Sequence, residues 1–253
     1  MYPLVGAVTS LTRLQVFMAG EYYLPLYFQS VKEAAPLKSG YLLAPLIVAT
    51  AGTGVLNGVF IHRTGKYRGS MWLGSIFLTL GTGLYIMLDA KSSIGMILGF
   101  EIIAGIGSGL MFEPPLIAIQ QGVEQDDVGT ATSTQSFIRA LALSLSVIVG
   151  GIVFQQSMDL QRLNLAKAGL PASVLEELSG KNAGANVDVG RTLSPAQNLA
   201  VKDAFAWSLR NMWIMMTVLG ALGIIASFFV KKKKLSKEHR ETITGLRKES
   251  VAP

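Results

Sequence analysis

Five ionisable residues, Arg13, Glu21, Glu101, Glu113 and Arg139, stand within long apolar stretches of a 253-residue chain in which only 15% of residues are charged. Placed in hydrocarbon, such side chains cost about 2.5–3.5 kcal/mol each on insertion scales, so they face a cavity or a partner. A carboxyl held there can take up and release a proton. A guanidinium there can hold an anionic group. Glu101 is the leading candidate for a proton-responsive carboxyl; the alternative is a structural hydrogen bond to a neighbouring helix. Glu21 can instead extend to the membrane interface, and Arg139 can serve as a structural or a substrate contact.

Other chemistries find little support. With no cysteine there is no disulfide, thiolate metal site or cysteine nucleophile. His62 and His239 have no second ligand at metal spacing, so no metal site is expected. No glycine-rich loop ending in Gly-Lys-Ser or Gly-Lys-Thr is present, and no nucleophile, base and acid stand in a recognisable pattern. The chain is therefore expected to be neither an enzyme nor a cofactor carrier.

The elements that must position the embedded charges are membrane spans. Half of the residues are apolar, 27 are glycine, and the mean hydropathy is +0.44. A helix needs about 20 mostly apolar residues to cross roughly 30 Å of hydrocarbon. Six segments qualify, at about 4–28, 40–61, 70–88, 94–118, 133–154 and 210–230. The expected fold is an all-α membrane protein with a six-helix bundle over 1–230 and a basic tail over 231–253. Met1-Tyr2-Pro3-Leu4 shows neither a basic n-region nor a small-residue cleavage site, so no cleaved signal is expected.

Between the last two spans lies 155–209, expected as an external loop and a surface flap without chemistry of its own. Leu160, Leu163 and Leu165 suggest a short amphipathic continuation of the fifth span. Pro171 to Ser179 has room for a helical turn or two, and Gly180 to Gly190 reads as loop. Ser194-Pro195 is a helix start that can run through Trp207 into the sixth span.

Even-numbered spanning places both termini on one side with the turn at 62–69. That turn carries Arg63, Lys66 and Arg68, and the tail carries Lys231 to Lys234, Lys237, Arg240, Arg247 and Lys248. Basic residues flanking spans favour the cytoplasmic face, so the tail is expected to be cytoplasmic, against anionic lipid rather than nucleic acid. With that orientation, Glu21 and Glu101 lie roughly 10 Å from the outer boundary, and Arg139 and Glu113 about 8–9 Å from the inner one. Small residues four apart supply close-packing ridges at Gly54 and Gly58, Ser70 and Gly74, Gly105 and Gly109, and Ser146 and Gly150. The glycines of the fourth span, with Pro114-Pro115, are also candidates for a bending point.

The segment Gly58-Val59-Phe60-Ile61-His62-Arg63-Thr64-Gly65-Lys66-Tyr67-Arg68 resembles the G-x-x-x-D-R-x-G-R-R signature of the major facilitator superfamily. That signature lies in the cytoplasmic turn after the second helix of each six-helix half. Gly58, Arg63, Gly65 and Lys66 match in spacing; His62 stands at the acid position, and Tyr67 displaces the last base to Arg68. Tyr22 to Gln29, Pro36 to Gly40, Gly105 to Gly109 and Gln135 to Arg139 are similar to fungal drug:proton antiporters with fourteen spans. The resemblance covers essentially the whole chain, as the C-terminal six-helix half.

Such a resemblance implies secondary transport, with proton-coupled efflux of small organic molecules between two rocking halves. It implies that the 58–66 turn helps hold one conformation of the cycle; a plain basic turn is the alternative. It further implies that an N-terminal half or a second copy completes the transporter, this chain being a fragment or a truncated product. Plasma membrane is the expected site, with the vacuolar membrane as alternative. Nutrient or siderophore uptake, or a non-transporting membrane protein, are the rival functions. Phe17, Tyr22, Tyr23, Phe112 and Phe137 are candidate cavity aromatics.

Overall fold

The computed structural model describes residue 16 and residues 20–120, 123 and 125–228. Residues 20–30 form the described part of a first helix, α1. Seven further helices follow: α2 (Pro36–Thr64), α3 (Arg68–Leu84), α4 (Ile94–Phe112), α5 (Pro114–Gln120), α6 (Val128–Lys167), α7 (Ala172–Glu177) and α8 (Pro195–Phe228). No strand occurs among the described residues.

Among the described residues, five stretches are long and apolar enough to cross a bilayer: 36–64, 68–87, 94–117, 125–167 and 195–225. The chain is a multi-pass membrane protein. Most of the first expected span, including Arg13 and Phe17, lies outside the described residues, as does the tail 231–253. Packing runs from α2 to α4, from α4 to α3, from α3 to α8 and from α8 to α6. Tyr23 of α1 joins this ring by donating to the Val147 carbonyl of α6 at 2.7 Å.

Helix ends follow local chemistry. Pro36 opens α2, and Gly65 closes it at φ 69°, donating its N–H to the Ile61 carbonyl at 2.8 Å. That left-handed conformation favours glycine. Ser93 caps α4 by accepting from the Met96 N–H. At α8, Gln197 Oε1 accepts from both the Ser194 N–H at 3.3 Å and the Ser194 hydroxyl at 3.0 Å. This cap, with Pro195 in the first turn, fixes where the long helix starts.

The fourth span, read as one stretch from 94 to 118, is a single apolar stretch over 94–117 made of two helices that meet at Glu113. Pro114 and Pro115 have no N–H to continue the α4 ladder, so the chain must restart there. The expectation that needs correction is the surface flap over 155–209, while the continuation of the fifth span and the helix start at Ser194-Pro195 are as expected. Residues 155–167 belong to α6 and 195–209 to α8, and the stretch between them is packed. Leu165, Leu170, Leu178 and Ala183 are buried in one cluster with Tyr27, Phe28, Phe154 and Phe205. Apolar residues in a short connection become core when two long helices leave a wedge between them to fill. We call this end of the bundle the roofed end.

Polar bonds tie the roof to the turns beneath it. Glu33, at φ 51°, accepts from Asn198 at 2.8 Å and pairs with Lys202 at 2.8 Å. Its backbone carbonyl accepts from Arg191 at 3.1 Å. Lys32 reaches across to the Ala90 carbonyl at 2.8 Å, and the Tyr27 hydroxyl donates to the Asp89 carbonyl at 2.7 Å.

Candidate functional site

The surroundings of Glu101 are set by the register of α3 on α4. A Cβ on Gly81 would come within 2.6 Å of Ala104, and one on Gly74 within 2.7 Å of Met111. The helices are thus antiparallel and nearly in backbone contact. Each step along α3 matches one step back along α4, which brings Tyr85 level with Phe100 and Glu101. The α8 helix completes the level: the Trp213 and Tyr85 rings lie 5.0 Å apart between centroids. Glu101 is wholly buried, and Tyr85 and Trp213 are each 1% exposed.

Neither carboxyl oxygen of Glu101 has a hydrogen-bond partner among the described residues, nor does the Tyr85 hydroxyl or the Trp213 Nε1. The carboxyl is close enough for its charge to act on the Tyr85 hydroxyl, and no charged side chain among the described residues offsets it. An ionised carboxylate only accepts, indole N–H only donates, and a phenol does both. Each buried polar group left unmade costs about 1–3 kcal/mol. The level therefore holds an acceptor and two donors not engaged elsewhere, a set suited to a group that changes protonation.

The other embedded charges part company. Arg139 lays its guanidinium 4.4 Å from the Phe112 ring centroid, a cation–π contact, and no ion pair joins it to Glu113 among the described residues. It also lies within electrostatic reach of half-buried Glu21. Glu113 caps the C-terminus of α4. Equal depth therefore does not bring Arg139 to Glu113.

The close-packing glycines divide in the same way. A Cβ on Gly105 would meet Ala49 at 2.7 Å, and one on Gly109 would meet the Gly54 nitrogen at 2.8 Å, so both press α4 on α2. Gly107 faces α3. A Cβ on Gly54 would lie 3.8 Å from the Gly109 carbonyl oxygen, while one on Gly58 meets nothing within 4 Å. At the turn, His62, Arg63 and Lys66 are exposed. Among the described residues no group of three His, Asp or Glu side chains stands at metal-binding range.

A cleft went unnoticed in the sequence. It has a volume of about 510 Å³ and lies between α1 and α6 under the roof. Tyr22, Tyr23 and Gln29 come from α1, Gly151 and Gln155 from α6, and Gly184, Ala185 and Val187 from the roof. Phe137, 69% exposed, is not part of it. No periodicity marks Gln29, Gln155 and Ala185 as neighbours; only the folding back of 168–194 makes them so.

Residues 3–147 match the family model of the Major Facilitator Superfamily. The chain is 36% identical over 236 residues to the MFS-type transporter ppz2 of Metarhizium majus, covering 93% of this chain and 41% of that protein. It is 35% identical over 237 residues to the efflux pump dotC of Dothistroma septosporum, covering 94% and 40%. Likewise it is 31% identical over 230 residues to the efflux pump FUS6 of Gibberella fujikuroi, covering 90% and 41%. The chain spans about two fifths of the length of these relatives.

Proposed function

The chain belongs to the major facilitator superfamily, and from that premise we propose that it works as the C-terminal half of a secondary transporter that exports small organic molecules in exchange for protons. Relatives named as efflux pumps support the direction of transport. The proton carrier in this reading is Glu101. The observation that carries it is a fully buried carboxyl with no hydrogen-bond partner among the described residues, inside a span. A permanent charge there would be costly, so the group is suited to cycling between a neutral and an ionised form. Tyr85 and Trp213 position the ionised form by donating to it when the three helices shift.

In the same reading the 62–69 turn and the tail face the cytoplasm, and the roofed end faces the far side of the plasma membrane. Arg63 and Lys66, exposed at the turn, are placed to engage the other half of the transporter. Gly105 and Gly109 keep α4 on α2 while the half moves as a body.

The test is efflux from sealed vesicles, with this chain joined to the N-terminal half proposed to complete it and, in parallel, alone. The joined protein is expected to export dye only under a proton gradient. A Glu101→Gln variant is expected to lose at least tenfold in rate, together with its pH dependence. Equal dye retention with and without the gradient rejects exchange, and an unchanged pH profile in Glu101→Gln rejects this carboxyl as carrier.

A further inference from the structure

We propose that the cleft between α1 and α6 is a binding site for an uncharged, planar organic molecule, and that the roof segment 184–187 is part of that site. Its volume of about 510 Å³ falls within the range of small-molecule pockets. The chemistry of its wall is selective. Among the described residues no Asp, Glu, Lys, Arg or His lines it, although the polar bonds around Glu33 and Lys202 lie at the same end of the bundle. A charged guest would lose its hydration and gain no counter-charge, so charge is disfavoured there.

Neutral polarity is supplied instead. Gln29 and Gln155 face the cleft from two different helices, and neither amide is engaged in a hydrogen bond among the described residues. Each offers donors and an acceptor to a hydroxyl or carbonyl on a guest. Aromatic surface comes from Tyr22, which is 56% exposed and packs edge-on against Tyr23 at 5.0 Å. Tyr23 has spent its hydroxyl on the Val147 carbonyl, so its ring is fixed. A fixed ring and free amides favour a flat molecule with polar edges.

The roof is built to stay in place. Leu178 and Ala183 anchor it in the core, at 1% and 0% exposed. The Asn186 amide donates to the Glu177 and Asn182 carbonyls, both at 3.1 Å. Gly184 and Ala185 between these anchors are small enough to leave the space open. The site lies at the roofed end, away from the level of Glu101. It deepens the export reading, and rests on that reading only for the direction in which the guest travels.

The absence of native cysteine makes the test direct. Ala185→Cys and, as control, Lys91→Cys are labelled with a membrane-impermeant maleimide in vesicles without a pH gradient, with Nile red (neutral, planar) or ethidium (cationic) present. Nile red is expected to slow labelling at Ala185→Cys at least fivefold, leave Lys91→Cys unchanged, and outperform ethidium. Adding Gln29→Leu and Gln155→Leu is expected to restore fast labelling, with the unliganded rate unchanged as the check on folding. Absent protection, equal protection at both cysteines, equal protection by ethidium, or protection that survives the double glutamine change each overturns the site. Because no transport is needed, failure here leaves the efflux assay standing, and failed efflux leaves this binding result standing.

Discussion

At the roofed end, Leu178, Ala183 and Phe205 are buried around Phe154, whose ring lies 5.9 Å from that of Phe205. At the level of Gly105 and Gly109, by contrast, α4 meets α2 backbone to backbone, with scarcely a side chain between them. In the proposed membrane placement the two regions face different solvents. Beyond the bilayer, removing aromatic and aliphatic surface from water drives packing, so large side chains are favoured. Within the bilayer, lipid tails are as apolar as any side chain, and helices hold together by close approach at small residues. One chain uses both rules within the length of a single helix.

The contrast is strongest at Phe205. A Phe205→Ala change should cost about 3–5 kcal/mol, seen as a lowered unfolding temperature in detergent micelles. In the lipid-embedded region the opposite change, from small to large, should do the damage. Gly109→Leu would drive a side chain into the Thr50 and Gly54 backbone and should cost about 3 kcal/mol. If Gly109→Leu melts like the parent protein, the division between the two regions fails.

Smaller effects sharpen the boundary. The hydrogen bonds from Lys202 and Asn198 hold the Glu33 carboxyl below its ordinary value of 4.5. A folded value that is depressed contributes stability that is complete above 4.5 and is lost as pH falls through the folded value. Glu33→Gln should therefore cost about 0.5–1 kcal/mol at neutral pH. Its melting curve should merge with that of the parent as pH drops below 4.5; a constant gap would show that the Glu33 pairing adds nothing. Smallest is Asn57→Ala, which removes a 3.1 Å bond to the Leu110 carbonyl. Interhelical bonds in bilayers average about 0.6 kcal/mol, and a loss several times larger would mean that side-chain bonding governs this region too.

Much of the spanning architecture can be read from apolar run length alone, since 36–64 and 68–87 need little beyond composition to be recognised. Glu101 stands out by type and place. Its level with Tyr85 and Trp213 does not, because that depends on how deeply Gly74, Gly81 and Gly107 let α3 and α4 interlock. Depth along a helix axis was also a poor guide to partners. It says nothing of the direction a side chain leaves the helix, and Arg139 turns to the Phe112 ring rather than to Glu113. The roof was hidden for another reason. Leu178 and Ala183 sit among Gly, Asn and Ser without a period, and their burial is decided by α1 and α8 residues far along the chain.

The α6 helix is unbroken over 40 residues, about 60 Å at 1.5 Å per residue, or roughly twice the hydrocarbon thickness. An unbroken rod pivoting in the bilayer is a lever. A tilt of about 10° around the midplane would sweep its far tip by about 6 Å, since that tip lies roughly 35 Å from the pivot by the same rise. Motion too slight to part the helices in the membrane is thereby enlarged along the rod, to about 3 Å at Gln155, roughly 17 Å from the pivot and opposite Ala185, and to twice that at the tip.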